Sequence, residues 1–177
     1  YTRKSTKQDI LRGLPMGATT LYNFRTKQLD WTPTLNTDTH AAGDVVAAFE
    51  AVALNEGGSD TRPLRGTINY AIVHDIGAVG AQFDIVIGDD SAIAMGGAES
   101  AAAAMTTASQ RMIIGVIDTS ATWATVGSTG KFAKPAAFAP IPFELSGDNL
   151  YMGIIARASW NVDAADDIMV RFGLTIE

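Results

Sequence analysis

Two histidines, no cysteine, and a His-Asp and an Asp-Asp pair at the ends of two alternating runs set the limits of the chemistry this 177-residue chain could perform. His74-Asp75 invites a catalytic reading. The pair closes the alternating run 66–75, however, and consecutive strand residues point to opposite faces, so a hydrogen-bonded dyad is not expected. Asp89-Asp90 closes the next run, 81–88. Two carboxylates at a strand end could hold Ca²⁺ together with loop carbonyls. The spacing of a calcium-binding loop is absent, so solvated turn residues are the expectation. His40 lies in a Thr/Asn/Asp-rich loop without an obvious set of fellow ligands, and reads as a surface or hydrogen-bonded histidine. Without cysteine there are no disulfides, thiolate metal sites or Cys nucleophiles. Two histidines cannot build a multi-His metal site of the cupin type within one chain. Nucleophile elbow, phosphate loop, zinc-ligand spacing and cofactor fingerprint are all missing. The expectation is a non-enzymatic protein with no catalytic residue, no metal and no cofactor.

Charge is the more informative feature. The chain carries a formal −6, but residues 1–30 carry +4 and residues 31–177 carry −10. A basic arm on an acidic body suits docking on an acidic partner surface, including a second copy of the same chain; a solvated terminus is the competing reading. The candidate arm contacts are Arg3, Lys4, Lys7, Ile10, Leu11, Arg12, Tyr22, Arg25 and Lys27. Direct nucleic-acid binding is not expected, because the arm is short, its aromatics are few and the body would repel phosphates. No apolar run approaches the length that crosses a bilayer. No apolar stretch of the secretory type follows Tyr1–Lys7, and without an initiator Met the natural terminus is expected to differ from Tyr1.

The elements that would position these residues read mostly as strands. Within the arm, Ser5 and Gln8 resemble a capping box, and Ile10, Leu11 and Leu14 fall at helical spacing before Pro15. Residues 30–43 read as loop. Residues 43–54 fit a helical stripe or a strand spoiled by Glu50; the strand is preferred, for want of a clear cap. In run 66–75, Ile68, Tyr70 and Ile72 are expected on one face, with Ala71 and Val73 on the other. Phe83, Ile85 and Ile87 alternate in the next run. Ala98–Met105 should form one or two helical turns crossing an edge. Run 111–118 should be a central strand covered on both sides. Pro135, Pro140 and Pro142 confine 131–142 to an edge or the surface.

The chain closes on its two clearest strands. Leu150, Met152, Ile154, Ala156, Ala158 and Trp160 share a face, as do Ile168, Val170, Phe172, Leu174 and Ile176, with a polar loop of hairpin or corner type between them. Their outward residues, Tyr151, Ile155, Arg157, Met169 and Arg171, are only half polar, so a partner is expected to cover that side. The fold expected is all-β: a jelly-roll-like antiparallel β-sandwich over residues 31–177, with a basic arm over 1–30 and one short Ala-rich helical crossover.

The order of these runs carries a resemblance. A Gly-initiated strand ends in His-Asp (Gly66–Asp75), and a second ends in Asp-Asp (Phe83–Asp90). An Ala-rich crossing and Ile113-Ile114-Gly115-Val116 follow, then Leu150-Tyr151-Met152-Gly153-Ile154-Ile155, then Asp167–Phe172; Ala42–Val46 opens the series. Over about residues 40–177 this resembles the small β-sandwich decoration, or cement, proteins of tailed bacteriophage capsids. The resemblance implies a virion structural protein, a dimer or trimer in many cases, on the capsid exterior. There it would bridge neighbouring copies of the major capsid protein and resist internal DNA pressure. The alternative is a carbohydrate- or receptor-binding sandwich of a phage fibre or spike, which exposed Trp31, Trp123 or Trp160 would support, since aromatic faces stack on sugars.

Overall fold

A computed structural model describes residues 25–58, 62–75, 80–97, 101–119, 123–126, 130–133, 139–162 and 168–177. Arm residues Arg3, Lys4, Lys7, Ile10, Leu11, Arg12 and Tyr22, and the helical reading of 5–14, lie outside the described residues.

Strict alternation makes β12 (Ile168–Ile176) the organising strand of one sheet: its five inward side chains are all at most 1% exposed. β1 (Arg25–Trp31) pairs with one of its edges and the long β4 (Leu64–Asp75) with the other. The far edge of β4 is shared by β9 (Ile141–Leu145), beside its first half, and β8 (Gly130–Ala133), beside its last three residues. β7 (Ala124–Val126) continues from β8. The second sheet runs β3 (Val45–Ala53), β10 (Asn149–Ala156), β5 (Phe83–Gly88), β6 (Ile113–Asp118). A short ribbon pairs β2 (Thr39–His40) with β11 (Trp160–Asn161). Every pairing is antiparallel. Leu29, Ile68, Val73, Phe172 and Leu174 from the first sheet meet Val46, Ile85, Leu150, Met152 and Ile154 from the second in one core. The protein is an all-β antiparallel sandwich.

Five expectations change. The two closing runs bury the faces their alternation predicts over Leu150–Ala156 and Ile168–Ile176, while Ala158 is only half-buried and Trp160 belongs to β11; of the hairpin or corner expected between them, the hairpin is excluded. β10 and β12 belong to different sheets and face each other across the core. Alternation fixes which side of a strand is buried and leaves its lateral neighbour open.

Residues 25–30 leave the arm for the sandwich. β1 pairs with β12 in register from Arg25↔Ile176 to Trp31↔Val170. Leu29 and Trp31 anchor it in the core. The Trp31 indole N–H donates to Glu50 Oε2 across the gap between sheets, at 3.0 Å.

In β4, a register shift opposite Gly173/Leu174 leaves Asn69 as an extra residue, because Gly173 faces Tyr70 while Leu174 faces Ile68. This bulge flips the alternation. Ile68 therefore points inward with Ala71 and Val73, and Tyr70 and Ile72 point outward.

Helix appears at α1 (Thr107–Arg111), after the described part of the Ala-rich run, 101–105, rather than within it, and is capped by Thr106 Oγ1 accepting from Ser109 N at 3.1 Å; residues 98–100 lie outside the described residues. Ala101–Met105 stays extended because the backbone of its residues bonds elsewhere. Ala101 O accepts from Val45 N, Ala103 N donates to Gly43 O and Ala104 N to Met95 O. These bonds override alanine's helical preference.

Finally, β6 is an edge strand among the described residues, with Val116 51% exposed. A register irregularity opposite Ile87/Gly88 sends Ile114 and Ile117 to the main core and Ile113 to the outer side.

Candidate functional site

The residues with catalytic potential are dispersed. Asp75 is buried and accepts a hydrogen bond from Gly80 N. Its neighbour His74 lies on the outer face opposite Met169, where burial and then nearby Arg171 push its pKa down. The two do not form a dyad. His40 is 1% exposed and donates from Nε2 to Asn36 O at 3.0 Å, with its ring tilted against Trp160. Asp90 Oδ1 accepts from Ala92 N at 2.8 Å, as a turn residue does. Asp89 has its pKa raised, chiefly by burial and further by Asp90. Among the described residues no three His, Asp or Glu side chains come together to hold a metal ion, and no helix is long and apolar enough to cross a membrane.

The tryptophans are packing residues. Trp31 and Trp160 are 5% and 3% exposed. Trp160 stacks on Phe83 with ring centroids 5.3 Å apart, and half-buried Trp123 leans on the same core.

What remains is surface, and the two outer faces differ. On the β3–β10–β5–β6 sheet, Val45, Val86 and Met95 form a second buried cluster ringed by Phe49, Ala103, Met105, Ile113 and Ile155. Met95 lies directly over Gly153, where a Cβ would collide with its terminal methyl. Residues 93–97 and 101–105 of the chain itself therefore cover this face. Ile155, read from sequence as a partner contact, is spent within the molecule. Tyr151 is half-buried beside Asp89 and Asp90, in a cleft of about 250 Å³. Arg157 ties its strand end to the sheet through Asp84 at 2.6 Å and Asp118 at 3.0 Å.

The opposite face, on β1–β12–β4, carries no such cover among the described residues. Tyr70, 40% exposed, lies over Gly173, where a Cβ would strike its ring. Further along the two strands Ile72, opposite Arg171, and the pair His74 and Met169 are half-buried. Arg171 forks onto Asp30, with Nε–Oδ1 at 2.8 Å and Nη2–Oδ2 at 2.9 Å. This hydrogen bond is the main reason the Asp30 pKa lies below its usual value. Arg25 and Lys27 also act within the chain: both pair with Glu56 at 2.9 Å, and Lys27 donates to Leu54 O as well. The Lys27 hydrogen bond chiefly lowers the Glu56 pKa.

The five outward residues chosen from sequence thus fall on two opposite faces: Met169 and Arg171 on the open one, Tyr151, Ile155 and Arg157 on the other. Tyr70 and Ile72, opposite Gly173 and Arg171 in the register, were missed as further outward residues of the open face. The signal was the Asn69 bulge, which a polar residue inside an otherwise apolar run only hints at. Comparison with protein-family models and with curated protein sequences finds no match.

Proposed function

We propose that this protein is a non-enzymatic virion structural protein that binds the outside of an icosahedral tailed-phage capsid and joins neighbouring major capsid subunits. The observation that carries the reading is the asymmetry of the sandwich. One outer face is covered by residues 93–97 and 101–105, while the other offers Tyr70, Ile72 and Met169 around the Arg171–Asp30 pair. A sheet face that keeps large apolar side chains near water is suited to docking. The bidentate pair beside it holds a fixed orientation and so can set register against a partner. Repetition over a shell multiplies weak contacts into firm attachment. The order of strand-like runs and turns from Ala42 onward resembles that of capsid decoration proteins, which supports the same proposal, and attachment as dimers or trimers belongs to it as well. Trp31 and Trp160 are buried and Trp123 is half-buried against the core, so the carbohydrate-binding alternative lacks the support that exposed tryptophans would give it.

The test is co-sedimentation of purified protein with isolated shells. Met169→Glu and Ile72→Glu place charge on the open face without touching the core. Both variants should unfold at wild-type denaturant concentrations and lose shell binding. Undiminished binding by both would reject this face as the attachment surface.

A further inference from the structure

At the pole where β1 begins, a groove of about 360 Å³ opens between the β6 edge of one sheet and the β9 edge of the other. Ile114, Pro142 and Phe143 give it an apolar lining, and Asp89, Glu144 and Glu177 line it as well, together with the single cation Arg65. Glu144 is paired with Arg65 at 2.8 Å. Asp89 and Glu177 have no cation within ion-pair distance among the described residues. Burial raises the Asp89 pKa, which marks a carboxylate that gains from an arriving cation.

The 24 residues before Arg25 enter the fold at this same pole. Arg25 lies opposite Ile176 in the register, and Glu177 N donates to Arg65 O one residue further on. Those residues hold Arg3, Lys4, Lys7 and Arg12 against the single acid Asp9, and the apolar trio Ile10, Leu11 and Leu14. Charge and apolarity both complement the groove. From β1 the path crosses β12 and β4 to β9, three strand spacings or roughly 14 Å. Residues 15–24 can span up to roughly 33 Å when extended. A segment tethered this closely reaches an effective concentration on the order of millimolar, which favours the groove of its own chain over that of a second copy.

We infer that residues 5–14 dock in cis in the groove between β6 and β9, with Ile10, Leu11 and Leu14 on Ile114 and Pro142 and with Lys7 and Arg12 beside Asp89 and Glu177. The inference concerns the isolated chain and does not depend on the capsid reading, so either can fail alone.

Because the chain is free of cysteine, an engineered pair is unambiguous. Leu11→Cys with Pro142→Cys in the full-length protein should oxidise to an intrachain disulfide, seen as a monomer of altered mobility. Leu11→Cys with Thr26→Cys, on the outer face of β1, is the control and should oxidise far less. An interchain dimer, or cross-linking no better than the control, overturns the inference. A second measurement guards against misfolding of the double variant. Alkylation of the single Pro142→Cys variant should speed up roughly five- to tenfold when Lys7→Glu and Arg12→Glu are added in the full chain. An unchanged rate overturns the inference equally.

Discussion

Glu50 bridges the two sheets, and its removal should be among the most damaging single changes outside the core. Its carboxylate accepts from the Trp31 indole at 3.0 Å and from Thr34 N at 2.9 Å, joining the edge strand β1 and the loop after it to β3 in the opposite sheet. Trp31 is 5% exposed, so Glu50→Ala leaves its N–H buried without an acceptor. Hydrogen bonds to charged groups contribute about 1.5–3 kcal/mol each, and an orphaned buried donor costs about 1–3 kcal/mol. The two bonds share one carboxylate and overlap in effect, so a loss of about 2–4 kcal/mol is expected. For a domain of this size that is roughly 5–15 °C in Tm. Glu50→Gln keeps one acceptor oxygen and faces the other donor with an amide N–H₂, so it should lose about half as much. Equilibrium urea unfolding followed by tryptophan fluorescence gives both numbers from the midpoint, provided the slope is unchanged. A Glu50→Ala protein within about 0.5 kcal/mol of wild type, the range of an ordinary surface change, would refute the bridging role. So would a Gln variant as unstable as the Ala variant.

Acid should loosen β1 first. Asp30 and Glu56 both have pKa values lowered by their hydrogen bonds to Arg171 and Lys27. Their stabilisation is fully present above the ordinary carboxylate range and is lost as pH falls through the lowered values; hydrogen exchange of Thr26–Asp30 amides should rise there before the core opens. Asp89, with its pKa raised by burial, acts in the opposite sense: its stabilising contribution is lost as pH rises through the raised value. With Lys7 and Arg12 both changed to Glu, so that no arm cation offsets the burial, Asp89→Asn should therefore leave stability at pH 7 equal or higher, as a thermal melt would show. Met95→Ala opens the small outer cluster over Gly153 and should cost about 2 kcal/mol or more in urea unfolding. Gly173→Ala should force the Tyr70 ring off β12 and raise its exposure, measurable as faster tyrosine iodination, and should weaken shell binding with it.

How much of this was legible in the sequence differs from element to element. The inward faces of β10 and β12 could be read without error, because two long runs alternate and a period of two has a single structural meaning. Their placement in opposite sheets could not, since nothing in Leu150–Ala156 or Ile168–Ile176 encodes a lateral neighbour. Arg25–Trp31 was hidden by its charge. Arg25 and Lys27 read as part of a basic arm, but their partner Glu56 is supplied by a loop some thirty residues away. Glu50 looked like a flaw in β3 and is instead the acceptor for a tryptophan on another strand. The open face was half legible. Met169 and Arg171 follow from alternation in β12, whereas Tyr70 and Ile72 depend on a one-residue bulge at Asn69 that reverses the phase of β4. The cover on the other face was not legible. An alanine-rich stretch satisfies helix propensity locally, and only the pairing of Ala101–Ala103 with Gly43–Val45 decides otherwise.

Attachment to a shell is the claim on which the functional reading stands, and purified particles test it most directly. Quantitative mass spectrometry of intact virions should find this protein in a fixed ratio to the major capsid protein, one set by icosahedral symmetry. Particles reconstituted with Met169→Glu protein should lack it. A chain missing from washed particles, or present at a few copies without a symmetric ratio, would contradict the assignment.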